Sequence, residues 1–185
     1  MLSVWIRIKC APRVPTREFR LKKTSVLFVC MGNICRSPTA EGVLRGKLQA
    51  RGLAARFTVA SAGTLANHTG EPPDTRAQAF AARRGYDLSK QRARRVASAD
   101  FAAFDHVLAM DLDNLANLQK QCPPEHRAKV GLLMRHARRH RVDEVPDPYY
   151  GGPDGFDLVL DYIEDACDGL IDSLIMPGAR GAAAS

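Results

Sequence analysis

The chain has 185 residues, of which 45% are hydrophobic, and its formal net charge at pH 7 is +7. This length is enough for one domain with a sizeable core, and no apolar run approaches the roughly 20 residues that span a bilayer. Residues 1–23 hold seven basic side chains and one acidic side chain, so most of the excess charge lies at the N-terminus. The composition therefore argues against a membrane span and against a nucleic-acid-binding domain.

The first predicted element is a buried strand that leads into a loop and a helix. Residues 26–29 read Val-Leu-Phe-Val, as expected of a parallel strand that is covered on both faces. The chain turns over residues 31–36, and a helix follows. We place Pro38 at the first helical position and Glu41 in the first turn.

Helices and strands then alternate along the chain. The patterns predict helices over residues 40–51, 74–84 and 113–121, and strands over residues 57–60, 106–110 and 129–133. A last helix carries an apolar stripe at spacings of three and four, formed by Phe156, Val159, Leu160, Ile163, Cys167, Leu170 and Leu174. The alternation predicts an α/β fold with a four-stranded parallel sheet, helices on both faces, and a ligand-binding loop after the first strand.

That loop contains the residue types needed to bind and attack a phosphate ester. Gly32 and Asn33 tolerate the tight and left-handed conformations that point successive N–H groups into one cavity, and a helix N-terminus adds positive potential there. A cysteine in such a field ionises readily, so we expect Cys30 to be a thiolate at neutral pH. Arg36 offers a planar fork for two phosphoryl oxygens. The Ser37 hydroxyl is placed to donate to the sulfur.

A structural interpretation of the same residues is also open. Cysteine is among the most buried residue types, so Cys30 could be a core thiol and Arg36 a solvated helix residue. Packing does not explain why Gly, Asn, Arg and Ser stand together here. The Gly-Lys-Ser/Thr pattern of nucleotide-binding loops is absent, which argues against an ATPase.

CMGNICRS, residues 30–37, resembles the phosphate-binding loop of the low-molecular-weight protein tyrosine phosphatases. The following PTAE, SAGT at residues 61–64 and DPYYGG at residues 147–152 resemble that family in order and spacing, so the resemblance extends from Thr24 to about Leu174. It implies hydrolysis of phosphotyrosine in protein substrates through a phosphocysteine, with no metal or other cofactor. The residues implied to bind the phosphoryl group or the substrate are Met31, Gly32, Asn33, Ile34, Cys35 and Ser37, together with Arg36.

The second motif supplies a candidate acid. By resemblance, Asp147 protonates the leaving group and then deprotonates the water that hydrolyses the intermediate, a type of help that contributes typically 10²–10⁴-fold in rate. Tyr149 and Tyr150 are implied to wall the cleft and stack on an aryl substrate. Taken alone, Asp-Pro is an ordinary turn, and the tyrosines could be a half-buried aromatic pair.

The family also implies a support for the loop. The side chain of Asn33 is expected to bond to Ser61, after the second strand, and to a histidine in a later loop. This chain has Ser89, Lys90 and Gln91 where that histidine is expected. The departure leaves the support incomplete and predicts slower turnover rather than loss of catalysis.

The remaining cysteines bear on two further possibilities. Resemblance implies that Cys35 can form a reversible disulfide with Cys30, although a cysteine at a helix start can equally be inert packing. Arsenate reductases of the same fold need a closely spaced cysteine pair, and Cys122 and Cys167 do not form one. Hydrolysis is therefore favoured, with reduction and a catalytically silent phosphate-binding module as alternatives. Ile34 suits a phenyl ring better than the guanidinium of a phosphoarginine.

We divide the chain into a basic and flexible extension over residues 1–23, a phosphatase domain over residues 24–176, and a flexible tail over residues 177–185. The extension is too short in apolar residues for a secretory signal and could also reflect a misassigned start. The basic cluster at residues 135–140 is interpreted as a solvated loop or helix face. Because the five cysteines show no metal-ligand spacing or disulfide framework, we expect a cytoplasmic monomer.

Overall fold

The computed structural model describes residues 23–149 and 154–175. Strand β1 is Thr24–Cys30 and helix α1 is Arg36–Ala50; the later elements, in chain order, are β2 (Phe57–Gly63), α2 (Thr75–Arg83), α3 (Ser98–Ala103), β3 (His106–Ala109), α4 (Leu112–Gln121), β4 (Val130–Leu132) and α5 (Asp154–Ile175). Short 3₁₀ turns precede β2 and flank β4. Nearly all of the predicted extension, the predicted tail and Tyr150 lie outside the described residues.

The four strands form one parallel sheet in the order β2-β1-β3-β4, which confirms the predicted α/β fold. The chain leaves β1 toward one neighbour and later returns to its other side, so the order reverses at β1. Ligands of open α/β sheets bind beyond the strand carboxyl ends at such a reversal. In this sheet Cys30 is the last residue of β1 and pairs with Gly63, the last residue of β2.

Both faces of the sheet are covered by helices. Since successive residues of β1 point to opposite sides, they contribute to two separate cores. Val26 and Phe28 pack with the buried faces of α1, α2 and α5, whereas Leu27 and Val29 pack with the residues of α3 and α4. The apolar stripe predicted for α5 faces the first of these cores, with Leu174 only partly buried at its end. Side-chain caps start two helices: Asp74 accepts N–H bonds at the start of α2, and Asp111 at the start of α4.

Several predicted boundaries were wrong. Helix α1 begins at Arg36, so Pro38 is its third residue and Glu41 lies beyond its first turn. Proline is accommodated there because the first four N–H groups of a helix have no partner within the helix. Strand β2 runs on to Gly63, which places Ser61 inside the strand and not after it. Helix α3 was not predicted.

The last strand and the basic cluster also differ from expectation in detail. Strand β4 is three residues long and excludes Lys129 and Leu133, since the flanking residues form 3₁₀ turns. Residues 135–140 lie in one of these turns and the loop that follows. Within the described residues, no helix is long and apolar enough to cross a membrane.

Candidate active site

The loop after β1 presents backbone N–H groups to a cavity at the carboxyl edge of the sheet. Asn33 adopts a left-handed backbone with φ of 57°, and it is the one non-glycine residue of the described chain with positive φ. Within the same described ranges, the amides of Met31, Gly32, Ile34 and Cys35 donate to no protein acceptor. Several neighbouring donors without partners form a concavity that is suited to an anion.

The end of β2 allows the loop to lie close to the sheet. Thr64 donates its N–H to the carbonyl of Cys30 and Leu65 to that of Met31, at 2.9 and 3.0 Å. Between the strands, a Cβ added at Gly63 would lie 2.7 Å from the carbonyl oxygen of Met31. The glycine of the SAGT segment is therefore required by the close approach of the two backbones.

Two donors surround the Cys30 sulfur. The N–H of Asn33 donates to Sγ at 3.2 Å, and the Ser37 hydroxyl lies 3.0 Å from Sγ. The same hydroxyl lies 3.2 Å from the carbonyl oxygen of Ala62 and accepts a bond from the Asn33 amide at 2.9 Å. Since a hydroxyl has one proton, Ser37 can donate either to the sulfur or to Ala62. Donation to the sulfur is the arrangement that favours a thiolate.

The Asn33 side chain is held by three bonds. Its Nδ2 donates to the hydroxyls of Ser37 and Ser61, each at 2.9 Å, and its Oδ1 accepts the backbone N–H of Arg94 at 2.9 Å. Ser61 in turn donates to the Glu41 carboxylate at 2.7 Å. Burial raises the pKa of Glu41, against the opposing effects of the Ser61 bond and of the Arg45 charge. The left-handed loop residue is thus anchored to β2 and α1.

Asn33 is supported even though the chain lacks the expected family histidine. Ser89 and Lys90 are exposed and do not reach the loop. Gln91 instead donates to the carbonyl of Pro38 at 3.1 Å. The acceptor atom of Asn33 is satisfied by the main chain of Arg94, a contact that no side-chain pattern in the sequence could indicate.

Arg36 is buried and shared among three acceptors. Its Nη1 donates to Asp111 at 2.6 Å and to the Val145 carbonyl at 3.1 Å, and its Nη2 donates to Asp147 at 2.9 Å. Burial alone would lower the pKa of Arg36, but the nearby Cys30 sulfur and the two carboxylates outweigh it and raise that pKa. The guanidinium therefore stays charged and fixed in orientation.

The cavity above the loop has a volume of about 210 Å³ and brings most of the predicted residues together. Its lining consists of Cys30, Met31, Gly32, Ile34, Cys35, Arg36, Asn67, His68, Asp147 and Tyr149. Cys30 and Arg36 lie on its floor, 3% exposed each, whereas Tyr149 and Met31 are 40% and 47% exposed. Asn33, Ser37 and Ser61 lie behind the loop and do not line the cavity.

Several residues of the site were missed from the sequence. Asp111 caps α4 and also binds Arg36, and Glu41 supports Ser61. His68 lines the cavity, with its Nδ1 2.8 Å from the Glu71 carboxylate. These residues act across long sequence separations or lie in irregular loops, where periodicity gives no signal.

Cys35 differs from Cys30 in its surroundings. Burial raises the pKa of the Cys35 thiol to about 12, with the Asp74 and Cys30 charges acting in the same direction. Cys35 is therefore a protonated thiol at neutral pH. Both cysteines are free in the structure, and the disulfide between them stays a prediction.

Comparison with known proteins identifies the family. The profile described as low molecular weight phosphotyrosine protein phosphatase matches residues 25–177. The chain belongs to this family. It is 46% identical over 136 residues to the low molecular weight phosphotyrosine protein phosphatase of Schizosaccharomyces pombe, which covers 73% of this chain and 86% of that protein.

Solved structures agree with the family assignment. A protein tyrosine phosphatase from Entamoeba histolytica, with Hepes in its active site, superposes with a TM-score of 0.81 at 41% identity, over 83% of this chain and 97% of that chain. Vibrio vulnificus Wzb, in complex with benzylphosphonate, superposes with a TM-score of 0.71 at 29% identity, over 81% and 98% of the two chains.

Proposed function

We propose that this phosphatase-family protein hydrolyses phosphotyrosine monoesters in protein substrates through a covalent phosphocysteine. The observation that carries the proposal is that Cys30 lines one cavity with loop residues whose amides have no acceptor among the described residues. Arg36 and Asp147 line the same cavity. This constellation offers a nucleophile, an oxyanion site and a carboxyl group within one small volume.

In the first step, the Cys30 thiolate attacks phosphorus and the bond from phosphorus to the phenolic oxygen breaks. The loop amides and the Arg36 guanidinium hold the three nonbridging oxygens as charge spreads over them. Once the substrate has displaced it from Arg36, Asp147 takes up a proton, which it then gives to the phenolic oxygen, so that neutral tyrosine leaves. Ser37 keeps its proton directed at the sulfur until the new sulfur–phosphorus bond forms.

In the second step, the Asp147 carboxylate takes a proton from water. The water oxygen attacks phosphorus, and the sulfur–phosphorus bond breaks. The thiolate is regenerated and inorganic phosphate leaves, so no redox partner is consumed. The hydroxyl of Ser37 and the N–H of Asn33, both close to Sγ, stabilise the sulfur as it becomes a leaving group.

The substrate must displace one of the resting contacts of Arg36. Its Nη2 is bonded to Asp147 before substrate enters, and a phosphoryl oxygen takes that place. Nη1 keeps its bonds to Asp111 and to the Val145 carbonyl, so half of the guanidinium remains anchored. The exchange leaves the Asp147 carboxyl group beside the leaving oxygen.

The cavity wall favours an aryl ester. Met31, Ile34 and Tyr149 contribute apolar surface around the cysteine, which suits a phenyl ring better than a guanidinium. The benzylphosphonate of the Vibrio vulnificus complex is likewise a benzyl group on a phosphorus oxyanion. Tyr150, which we also assign to the cleft, lies outside the described residues.

The proposal also includes the cellular location, oligomeric state and partners of the enzyme. We assign it to the cytoplasm as a monomer that uses no metal and binds no nucleic acid. Its described cysteines, which are Cys30, Cys35, Cys122 and Cys167, are all free, as suits a reducing compartment. A phosphotyrosine-containing protein is the partner, and inorganic phosphate is the product that occupies the loop.

Turnover and trapping together test the proposal. We expect hydrolysis of para-nitrophenyl phosphate in the presence of EDTA, inhibition by vanadate, and, after acid quench, a phosphoryl group mapped to Cys30 by mass spectrometry. Cys30→Ser should abolish both turnover and labelling. Thiol consumption with arsenate but no ester hydrolysis would identify a reductase instead, and phosphate binding without either reaction would identify a silent module.

A further inference from the structure

The loop that carries Asp147 is connected to the phosphate-binding loop by an ion pair outside the cavity. Asp74 precedes α2, and its backbone N–H donates to the Ile34 carbonyl at 2.8 Å. Its carboxylate accepts two bonds from the Arg76 guanidinium, at 3.1 and 2.8 Å. Arg76 is thereby fixed in orientation relative to the phosphate-binding loop.

Arg76 reaches the acid-bearing loop from the other side. Its guanidinium carbon lies 5.5 Å from the centre of the Tyr149 ring and 5.0 Å from that of Phe156 at the start of α5. It also donates to the Tyr149 carbonyl at 3.3 Å. The backbone N–H of Tyr149 donates to the Asp147 carboxylate at 3.1 Å. A continuous path of contacts thus runs from Ile34 to Asp147.

We propose that Arg76 is a positioning residue for Asp147, which it holds at the correct distance from the leaving group by clamping Tyr149 against α2. This inference rests on the proposed function, because it concerns the step in which Asp147 transfers its proton. Arg76 is 45% exposed and does not line the cavity, so its effect must pass through the loop.

The chemistry of Arg76 suits a clamp of this kind. A planar guanidinium can bind a carboxylate through two parallel bonds and stack on aromatic rings at the same time, which the ammonium of lysine cannot do. The bonds between the two side chains lower the pKa of Asp74 and raise that of Arg76. The pair therefore remains charged across the pH range in which the enzyme would work.

Two esters with different leaving groups can distinguish an effect on the position of Asp147 from an effect on substrate binding. Phenol is a poorer leaving group than para-nitrophenol and depends more on the acid, so a displaced Asp147 harms phenyl phosphate more. We expect Arg76→Ala to lower kcat/KM about tenfold with phenyl phosphate and no more than about twofold with para-nitrophenyl phosphate. Arg76→Lys, which keeps the charge but not the fork, should show the same selective loss.

Arg83→Ala is the matched control. Arg83 lies on the same helix and also stacks on a ring, with its guanidinium carbon 4.5 Å from the centre of Phe80, yet no hydrogen bond or ion pair joins it to the described residues of the acid-bearing loop. We expect Arg83→Ala to leave both kcat/KM values unchanged. Thermal unfolding of Arg76→Lys and Arg83→Ala checks that loss of fold does not explain the result.

A double variant supplies the decisive comparison. If Arg76 acts through Asp147, Arg76→Ala should cost nothing further on phenyl phosphate once Asp147→Ala is present. Multiplying losses, or an equal loss on both esters, would overturn the inference while leaving the proposed function intact. Absence of turnover in the wild-type protein would overturn both.

Discussion

Removing the Asn33 side chain tests how the phosphate-binding loop is held. Asn33→Gly deletes two buried hydrogen bonds, to Ser37 and Ser61, and a partly buried one from the Arg94 backbone. At about 1 kcal/mol of net stabilisation each, their loss should lower the free energy of unfolding by about 3 kcal/mol. Asn33→Ala should cost about 1 kcal/mol more than Asn33→Gly, because a Cβ is strained at φ of 57°.

The same substitutions should damage catalysis. The N–H of Asn33 points at the Cys30 sulfur, and it can hold that direction only while the residue stays left-handed. Without that conformation the neighbouring loop amides also lose their alignment, and losing one donor of an oxyanion site costs on the order of 10²-fold in rate. We expect kcat/KM for para-nitrophenyl phosphate to fall by about that factor in both variants.

Urea unfolding at pH 7 and steady-state kinetics measure the two effects. Asn117→Ala is the control, since Asn117 is an exposed residue of α4 whose side-chain amide, among the described residues, bonds only to the Asp113 carbonyl, at 3.1 Å. It should change neither quantity. Wild-type kcat/KM in Asn33→Gly would refute the idea that these side-chain bonds shape the loop, and equal stability of the Gly and Ala variants would refute the strain argument.

Three further variants test the hydrogen bond to the Cys30 sulfur, the anchoring of residues 138–140 by Asp165, and the packing of α5. Ser37→Ala removes the hydroxyl 3.0 Å from the Cys30 sulfur, so kcat/KM should fall about tenfold. Burial disfavours the charged form of Asp165, but hydrogen bonds from the backbone amides of residues 138–140 outweigh this effect and lower its pKa to about 2. Asp165→Asn should therefore lower the free energy of unfolding by about 2 kcal/mol at pH 7. This difference from wild type should shrink as the pH falls from about 4 to 2. Gly169→Ala makes the new Cβ clash with the His136 carbonyl oxygen, which should destabilise the fold by about 3 kcal/mol.

Each of these variants has an outcome that contradicts its reasoning. An unchanged kcat/KM in Ser37→Ala would mean that the hydroxyl donates to Ala62 throughout the reaction. The Asp165 argument has the wrong sign if the stability gap to wild type widens in acid. For Gly169→Ala, the control is Gly131→Ala, where an added Cβ meets nothing within 4 Å; equal melting temperatures of the two variants would contradict the packing argument.

The sequence indicates the first half of the site because its parts are adjacent in the chain. A β-branched and aromatic run, a Gly-Asn turn and a helix start follow one another over residues 26–38, so the position of Cys30 at the edge of the sheet could be predicted. Resemblance added Asp147, which no local pattern distinguishes from a turn residue. The apolar spacing of α5 was long enough to be unambiguous.

The parts that could not be predicted depend on contacts between distant main-chain and side-chain atoms. The Arg94 amide that binds Asn33 carries no side-chain signature, so the sequence without the expected histidine could not indicate which group donates to the Asn33 oxygen. Asp111 could be expected to start a helix, but its second contact, with Arg36, spans 75 positions. Helix α3 is six residues long, too short for periodicity to separate it from a loop.

The carboxylate of Asp147 occupies Arg36 before any substrate arrives. An incoming oxyanion must therefore displace the Asp147 carboxylate. Its net binding free energy is the difference between the ion pair that forms with Arg36 and the ion pair that breaks. When phosphate departs, Asp147 must first release the proton that it took from water before its carboxylate can return to the guanidinium. The resting contact therefore weakens the binding of any oxyanion that needs the same guanidinium.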